Sequence, residues 1–475
     1  MSDERQADLC VIGGGSAGLS VAAGAAQMGA ATVLIERGVM GGDCLNTGCV
    51  PSKSLIAAAR AVHDMRGADR FGIIVGEPQV DFARVHDHVH GVIAAIAPHD
   101  SVERFRGLGV DVIQAEARFV DGRTVEAGGR RIRARRFVIA TGSRPLVPPV
   151  PGLDAVPYLT NESVFDLIDL PRHLLVIGGG PIGLELAQAF RRLGARVSVF
   201  EMASIMPKDD PEAVDVVRRQ LIAEGIELIE QSRVTGVAGE AGAVRLRTER
   251  DGQTREIVGS HILVAAGRQP AFGSLNLEAA GVAATGRGIT VNAGLRTSNR
   301  RVYAIGDAAG GLQFTHVAGY HAGLVLRSAL FRLPVRVSTH ALPWVTYSDP
   351  ELAHVGLIEA AARQAHGDHV RVLRWAFGEN DRAQTERDTH GLVKVVVGRR
   401  GRILGATIVG PHAGELIQPW TLAMANALKI GAMANVVAPY PTRGEASKRA
   451  AGSYYTDALF SHRTRRLVRF LSRFG

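Results

Sequence analysis

Apolar positions in this chain gather into short runs, and two of those runs lead directly into glycine loops. From Leu9 to Glu36 the order is an apolar run, Gly13-Gly14-Gly15, a helical stretch, a second apolar run and an acidic residue. That order predicts strand, loop, helix and strand. The pattern returns at Leu174–Glu201, which aligns on the first copy without a gap and matches it at 12 of 28 positions. The segment is therefore an internal repeat. The polar residues Met1–Asp8 lead straight into the first strand, and the proline-rich stretches Pro145–Pro151 and Pro343–Pro350 read as junctions. Ser461–Gly475 has a helical period instead, with Leu467, Phe470, Leu471 and Phe474 on one side and Arg463, Arg465, Arg466, Arg469 and Arg473 between them.

The repeated loops carry chemistry. The first reads Gly13-x-Gly15-x-x-Gly18 and ends at Glu36; the second reads Gly178-x-Gly180-x-x-Gly183 and ends at Glu201. In such a loop the first glycine makes the tight turn. The second lets the backbone approach a pyrophosphate, and the third allows close helix–strand packing. The helix that follows turns its positive end toward the phosphates, and the acidic residue accepts hydrogen bonds from ribose hydroxyls. One glycine triplet is weak evidence; two copies with the acid at one distance predict two dinucleotide sites. Glu201 would repel a 2′-phosphate, and no arginine immediately follows it, so NADH is favoured over NADPH at the second site.

Composition narrows the picture further. A chain of 475 residues, 46% hydrophobic and with 56 glycines, suits a multidomain α/β protein. The formal charge of +9 invites a nucleic-acid reading, but only five of the 55 basic residues are lysine and no nucleic-acid-binding motif accompanies them. Three cysteines, no signal peptide and no long apolar stretch predict a cytoplasmic protein. The basic tail has two readings: a peripheral membrane helix, or a terminal helix packed on the protein or a partner subunit.

Two of the cysteines, Cys44 and Cys49, follow the first loop in Gly41-Gly42-Asp43-Cys44-Leu45-Asn46-Thr47-Gly48-Cys49-Val50-Pro51-Ser52-Lys53. Five residues of ideal helix would rise about 7.5 Å, too far for a disulfide. If the pair bonds, the chain between them leaves helical geometry, and Asn46, Thr47 and Gly48 suit that. Pro51 suits the first turn of a helix, which leaves Cys49 near its positive end, where a thiolate is stabilised. A bridge across so short a loop removes little chain entropy, so redox chemistry explains the pair better than stapling does. Cys10, in the apolar run before Gly13, reads as a buried core thiol.

With these residues in place the chain resembles the class I FAD-dependent pyridine nucleotide–disulfide oxidoreductases, nearest to mercuric reductase-like and lipoamide dehydrogenase-like members. Phe137–Ser143, with Thr141 and Gly142, is similar to that family's second FAD segment. Val264–Arg268, with Gly267, is similar to the end of its NAD domain, and Tyr303–Asp307 to the segment whose aspartate binds the flavin ribityl chain. Asn380–Ala383 and the stretch from Tyr440 fall in its interface domain. The resemblance implies that the first fingerprint binds FAD and the second NAD(H), with electrons passing through the flavin to a Cys44–Cys49 disulfide. The oxidised substrate would be a disulfide or another small acceptor. It implies Cys49 as the flavin-proximal thiol, Cys44 as the interchange thiol, and Lys53 near the flavin paired with Glu185. His316 and His321 would line the FAD crevice.

Three departures qualify the likeness. The family's aromatic lid over the nicotinamide falls at Pro181, which cannot swing. The usual histidine of its C-terminal pattern is Tyr440, in Tyr440-Pro441-Thr442-Arg443-Gly444-Glu445, and a phenol is a poor general base at neutral pH. No cysteine follows Cys49, which speaks against a mercury relay. His86, His88 and His90 cluster on a predicted helix, His86 and His90 one turn apart, without a supporting zinc motif, so no metal site is predicted. The expected architecture is α/β: an FAD domain from 1–150 and 271–345, an NAD domain at 151–270, and an α+β dimerisation domain at 346–475. A homodimer would bring Tyr440 and Glu445 of one subunit toward Cys44 of the other. Lipoamide oxidoreduction, metal-ion reduction and a non-enzymatic docking flavoprotein are the alternatives.

Overall fold

A computed structural model describes residues 4–474. By compactness it divides into two units, each taken by itself below. Of these residues the first comprises 4–69, 74–202 and 229–337; the second comprises 70–73, 203–228 and 338–474.

The first unit is built on a seven-stranded sheet. Its central strand Glu4–Ile12 lies parallel between Thr32–Glu36 and Arg130–Ile139, and Val110–Gln114 extends the parallel edge beyond Thr32–Glu36. Thr124–Ala127 and Ala117–Asp121 continue the other side antiparallel, and Val302–Ala304 also pairs with Arg130–Ile139. Leu9, Cys10 and Val11 are all fully buried. A parallel strand covered on both faces reads as a continuous apolar run rather than an alternation, which is the pattern at Leu9–Ile12. Cys10 is thus the core thiol expected, with its pKa pushed up by burial.

The second copy repeats this arrangement. His173–Ile177 lies parallel between Arg196–Phe200 and His261–Val264, and the helix Pro181–Leu193 makes the first crossover. Beside it Arg233–Glu240, Ala243–Arg250 and Gln253–Gly259 form an antiparallel sheet. Two short strands, Ser143–Pro145 and Arg268–Pro270, pair antiparallel, and this ladder sets Arg268 beside Ser143.

The second unit carries a five-stranded antiparallel sheet ordered Pro343–Thr346, Glu351–Gly356, Ile403–Gly410, Leu392–Val397, Arg371–Ala376. Helices cover it around the buried Trp420. An α+β domain at the C-terminal end is what the sequence led one to expect. Pro343 begins the edge strand rather than a linker, and the division by compactness falls at 337/338. The helix Pro211–Ala223 belongs to this unit although it lies within the 151–270 stretch of sequence. Its N-cap residue Asp210 explains why: the Asp210 carboxylate meets the buried Lys394 ammonium of the sheet at 2.8 Å.

Among the described residues no helix is long and apolar enough to cross a membrane.

Candidate active site

The fingerprint loops take the shape their glycines allow. Gly13 has φ +111°, and a Cβ there would lie 2.3 Å from the Ala140 carbonyl oxygen; Gly178 repeats this against Ala265. At Gly180 the situation differs. A Cβ there meets no protein atom within 4 Å, so the fold itself does not demand glycine. The helices Ser16–Gln27 and Pro181–Leu193 begin without a side-chain cap on their N-termini. Thr141 Oγ1 is buried without a hydrogen-bond partner. Open backbone at the second glycine, uncapped positive helix ends and an unsatisfied hydroxyl all fit phosphate-bearing dinucleotides. The residues that could hold FAD are the first loop with Thr141, Gly142 and Asp307, and those that could hold a nicotinamide dinucleotide are the second loop with Gly267.

Each terminal acid also holds its own loop. The Glu36 carboxylate accepts from the Gly14 amide and, at 2.7 Å, from that of Gly38. Glu201 accepts from the Gly179 amide at 2.8 Å. The equal separation of glycine and acid in the two copies therefore has a structural reason besides ribose recognition.

The cysteines stand on an interrupted helix. Gly42–Asn46 forms one turn, Thr47 and Gly48 leave helical geometry with φ −141° and −129°, and a new helix runs Cys49–Arg66. Cys49 is its first residue, and Pro51 sits in its first turn, as predicted. The two sulfurs are not bonded to each other but stand within hydrogen-bonding reach. Cys49 is exposed and Cys44 half-buried. Thr315, first residue of the helix Thr315–Phe331, touches both, with its Oγ1 3.5 Å from Cys49 Sγ; Ser16 touches Cys44. The Cys44 hydrogen bond lowers the Cys49 pKa to about 6; burial opposes it, Thr315 and the Lys53 charge assist, and the Asp43 charge opposes. Cys44 moves the other way, held protonated by its bond to Cys49 and by burial. One thiolate beside one protonated partner is the arrangement thiol exchange requires.

Lys53, one turn after Cys49, places Nζ 2.7 Å from Glu185 Oε2, so the expected pair forms, with Glu185 nearly buried. Asp307 belongs to a polar network with Ser143 and Arg268 that the sequence did not reveal. Ser143 Oγ donates to Asp307 Oδ2 at 2.5 Å, and Arg268 Nε donates to Ser143 Oγ at 2.7 Å. Burial raises the Asp307 pKa, with Ser143 and Arg268 opposing. Arg268 Nη1 reaches Asn161 Oδ1 at 3.3 Å, and Nη2 lies 3.3 Å from Asp43 Oδ1. His321 is buried and accepts from the Gly306 amide at 3.2 Å, while His316 is exposed and stacks on Phe314.

Tyr440 and Glu445 belong to the second unit. Tyr440 is 70% exposed and donates to Asp381 Oδ2 at 2.9 Å. That bond and the Asp381 charge raise its pKa further. Glu445 opens the helix Glu445–Gly452 and pairs with Arg449 at 2.8 Å. The histidines of the helix Phe82–Ile96 face each other as their one-turn spacing predicts, His86 and His90 rings 4.2 Å apart, with His90 3.1 Å from the Phe165 carbonyl oxygen.

Comparison with known proteins agrees with this geometry. The family model described as pyridine nucleotide-disulphide oxidoreductase matches residues 7–322, and that of its dimerisation domain matches residues 342–451. A mercuric reductase of Bacillus cereus is 36% identical over 95% of this chain and 72% of its own length. A dihydrolipoyl dehydrogenase of Thermus scotoductus is 37% identical over 95% of this chain and 98% of its own. Among solved structures, the Cu(II) complex of the HOCl-induced flavoprotein disulfide reductase RclA from Escherichia coli superposes with a TM-score of 0.85. It is 27% identical, covering 94% of this chain and 99% of that one.

Proposed function

The chain belongs to the pyridine nucleotide-disulphide oxidoreductases, enzymes that use FAD and NAD(P)H, and on that premise we propose that Cys44 and Cys49 are its redox pair. The observation that carries this is the pair itself: an exposed thiol at a helix start, its pKa lowered, in contact with a protonated partner. FAD, when bound, supplies two-electron exchange between nicotinamide and thiols. Around it Gly13, Gly15, Gly18 and Glu36 hold the adenine-nucleotide end, Asp307 and His316 line the crevice, and Lys53 with Glu185 sets a cation beside Cys49. Gly178, Gly180, Gly183 and Glu201 take the nicotinamide dinucleotide, as NADH. The dimerisation domain makes the protein a homodimer, and Tyr440 and Glu445 are the residues we assign to the partner's thiols.

The acceptor is a small disulfide, whose S–S bond breaks to two thiols as the dithiol closes to the Cys44–Cys49 disulfide; Cys44, as the interchange thiol, must first give up its proton. Tyr440 supplies no proton acceptor at neutral pH, so lipoamide turnover should be slow. The same observation favours a second reading, a thiophilic metal ion, whose reduction releases no thiolate product to be protonated. That reading accords with the mercuric reductase relatives and with the Cu(II) complex named above. The test is anaerobic NADH oxidation by the FAD-loaded protein with lipoamide, glutathione disulfide or Cu(II) as acceptor. Turnover with a disulfide, lost in Cys44→Ser, supports the first reading; turnover with Cu(II) alone supports the second; none with any of them overturns both.

The helix His462–Leu471 carries a further assignment, contact with an anionic membrane surface. Leu467, Val468, Phe470, Leu471 and Phe474 are all more than half exposed, and five arginines with no acidic residue stand among them in 461–475. A second copy of a chain with net charge +9 offers that face like charge, whereas anionic lipid complements both its arginines and its apolar stripe.

A further inference from the structure

Asp43 stands directly before Cys44, and its side chain folds back over the segment between the two thiols. Oδ1 accepts from Thr47 Oγ1 at 3.0 Å and from Asn161 Nδ2 at 2.9 Å, and faces Arg268 Nη2 at 3.3 Å. The Asp43 backbone carbonyl accepts the Thr47 amide at 2.9 Å. Gly48 packs so closely that a Cβ there would lie 2.8 Å from both Asp43 O and Oδ2. Asn161, 7% exposed, also donates to the Thr47 carbonyl at 3.1 Å, so one buried amide grips both ends of the turn. Arg268 then ties the cluster through Ser143 to Asp307.

We propose that Asp43 is a positioning residue of the redox pair, its carboxylate clamping Thr47 and Gly48 to Asn161 and Arg268 so that the two sulfurs stay in bonding register. This rests on the reading of Cys44 and Cys49 as that pair. With Oδ1 taken up by three donors and Oδ2 pressed on Gly48, the carboxylate is arranged to hold the loop rather than to shuttle a proton. Its charge has a second effect, opposing ionisation of Cys49. The other groups acting on that thiol are Cys44, the hydroxyl of Thr315 and the Lys53 cation, itself paired with Glu185; Arg268 and Asp307 stand behind Asp43.

The clamp and the charge separate experimentally. Asn161→Ala removes the outer anchor and no charge; Asp43→Asn keeps an acceptor oxygen and removes the charge. The FAD-loaded protein is equilibrated with reduced and oxidised glutathione. The balanced reaction converts the Cys44–Cys49 disulfide plus two reduced glutathiones into the dithiol plus one oxidised glutathione. Trapped thiols are located by mass spectrometry, and the alkylation rate of the reduced protein is followed against pH. Asn161→Ala should shift the equilibrium severalfold toward the dithiol and leave the Cys49 alkylation midpoint in place. Asp43→Asn should lower that midpoint by about half a unit. Both variants within twofold of the parent equilibrium, with the Cys44–Cys49 bridge mapped intact, would overturn the clamp and leave the redox pair standing. Absence of the bridge from the oxidised parent removes the redox pair and the clamp together. Thr47→Val, which deletes one donor without altering shape, repeats the test should Asn161→Ala fail to fold.

Discussion

At Cys44 and Cys49 each thiol sets the state of the other. The bond from Cys44 is the largest cause of the lowered Cys49 pKa, and contact with Cys49 is the largest cause of the raised Cys44 pKa. Removing either should therefore move its neighbour. In Cys49→Ser, Cys44 loses the partner that holds its proton, and its alkylation at pH 8 should rise on the order of tenfold over that of Cys44 in the reduced parent. In Cys44→Ser the Cys49 pKa should rise, because its largest lowering contact is gone while burial and the Asp43 charge still oppose ionisation. Unchanged Cys44 reactivity in Cys49→Ser would show that the two thiols are not coupled. Stability carries the matching signs. A thiol with a depressed folded pKa adds stability above the unfolded value near 9 and loses it as pH falls through about 6. Cys44, raised on folding, contributes in the opposite sense, adding stability below the unfolded value and losing it at higher pH. The pair was legible in the sequence because its spacing and its break at Thr47 and Gly48 are local. Thr315 was not, since its place beside Cys49 depends on a contact across 266 positions.

The two fingerprint helices allow a sharper test at the scale of the element. Gly180 caps the helix Pro181–Leu193 and Gly183 lies in its first turn, but only Gly183 is demanded by packing, a Cβ there falling 2.1 Å from the Gly178 carbonyl oxygen. Gly183→Ala should cost about 1–3 kcal/mol of stability through overpacking, read by urea denaturation. Gly180→Ala meets no protein atom and should fold as the parent does, while NADH affinity measured by calorimetry falls about tenfold or more. If Gly180→Ala binds NADH normally, the second loop is not the nicotinamide site. The repeat made these loops readable from sequence, since strand, glycine and acid recur at fixed distances. The Asp43, Asn161, Arg268 and Ser143 cluster was not readable. Its members come from segments far apart in the chain, and the short Ser143–Pro145 and Arg268–Pro270 ladder that joins two of them is too brief to leave a period.

Within the C-terminal unit Lys394 is a buried cation among three carboxylates, and sequence alone gave no sign of it. Its ammonium lies 2.8 Å from Asp210, 3.0 Å from Glu212 and 2.9 Å from Glu359, and is 4% exposed. Burial pulls its pKa down, but the three carboxylates raise it on balance; Glu212 and Glu359 are lowered in turn. Those lowered carboxylates add stability above their unfolded values, near 4.3 for glutamate, and lose it as pH falls through the folded ones. Lys394→Met leaves the carboxylates facing one another with Arg374 and Arg363 as remaining close cations. It should cost about 3–5 kcal/mol at pH 7. The loss should shrink as pH falls toward 4, the reverse of the parent's trend, and urea titrations at several pH values read both.

For the protein as a whole, what remains to be placed is the basic helix His462–Leu471. Its apolar and cationic stripes were visible in the sequence as a helical period, and the structure leaves both exposed. Sedimentation with vesicles of phosphatidylglycerol and phosphatidylcholine, against phosphatidylcholine alone, separates the occupants that face could take. An anionic-membrane surface predicts binding only to the first, weakened severalfold by raising salt from 50 to 500 mM because exposed charges are screened. Deleting residues 461–475 should then abolish sedimentation and leave flavin content and NADH oxidation as they were. Deletion that instead lowers the mass of the particle in solution, with no vesicle binding by the parent, would assign the helix to the second subunit. The apolar stripe would then be one half of a contact between copies, and the arginines would face solvent rather than lipid.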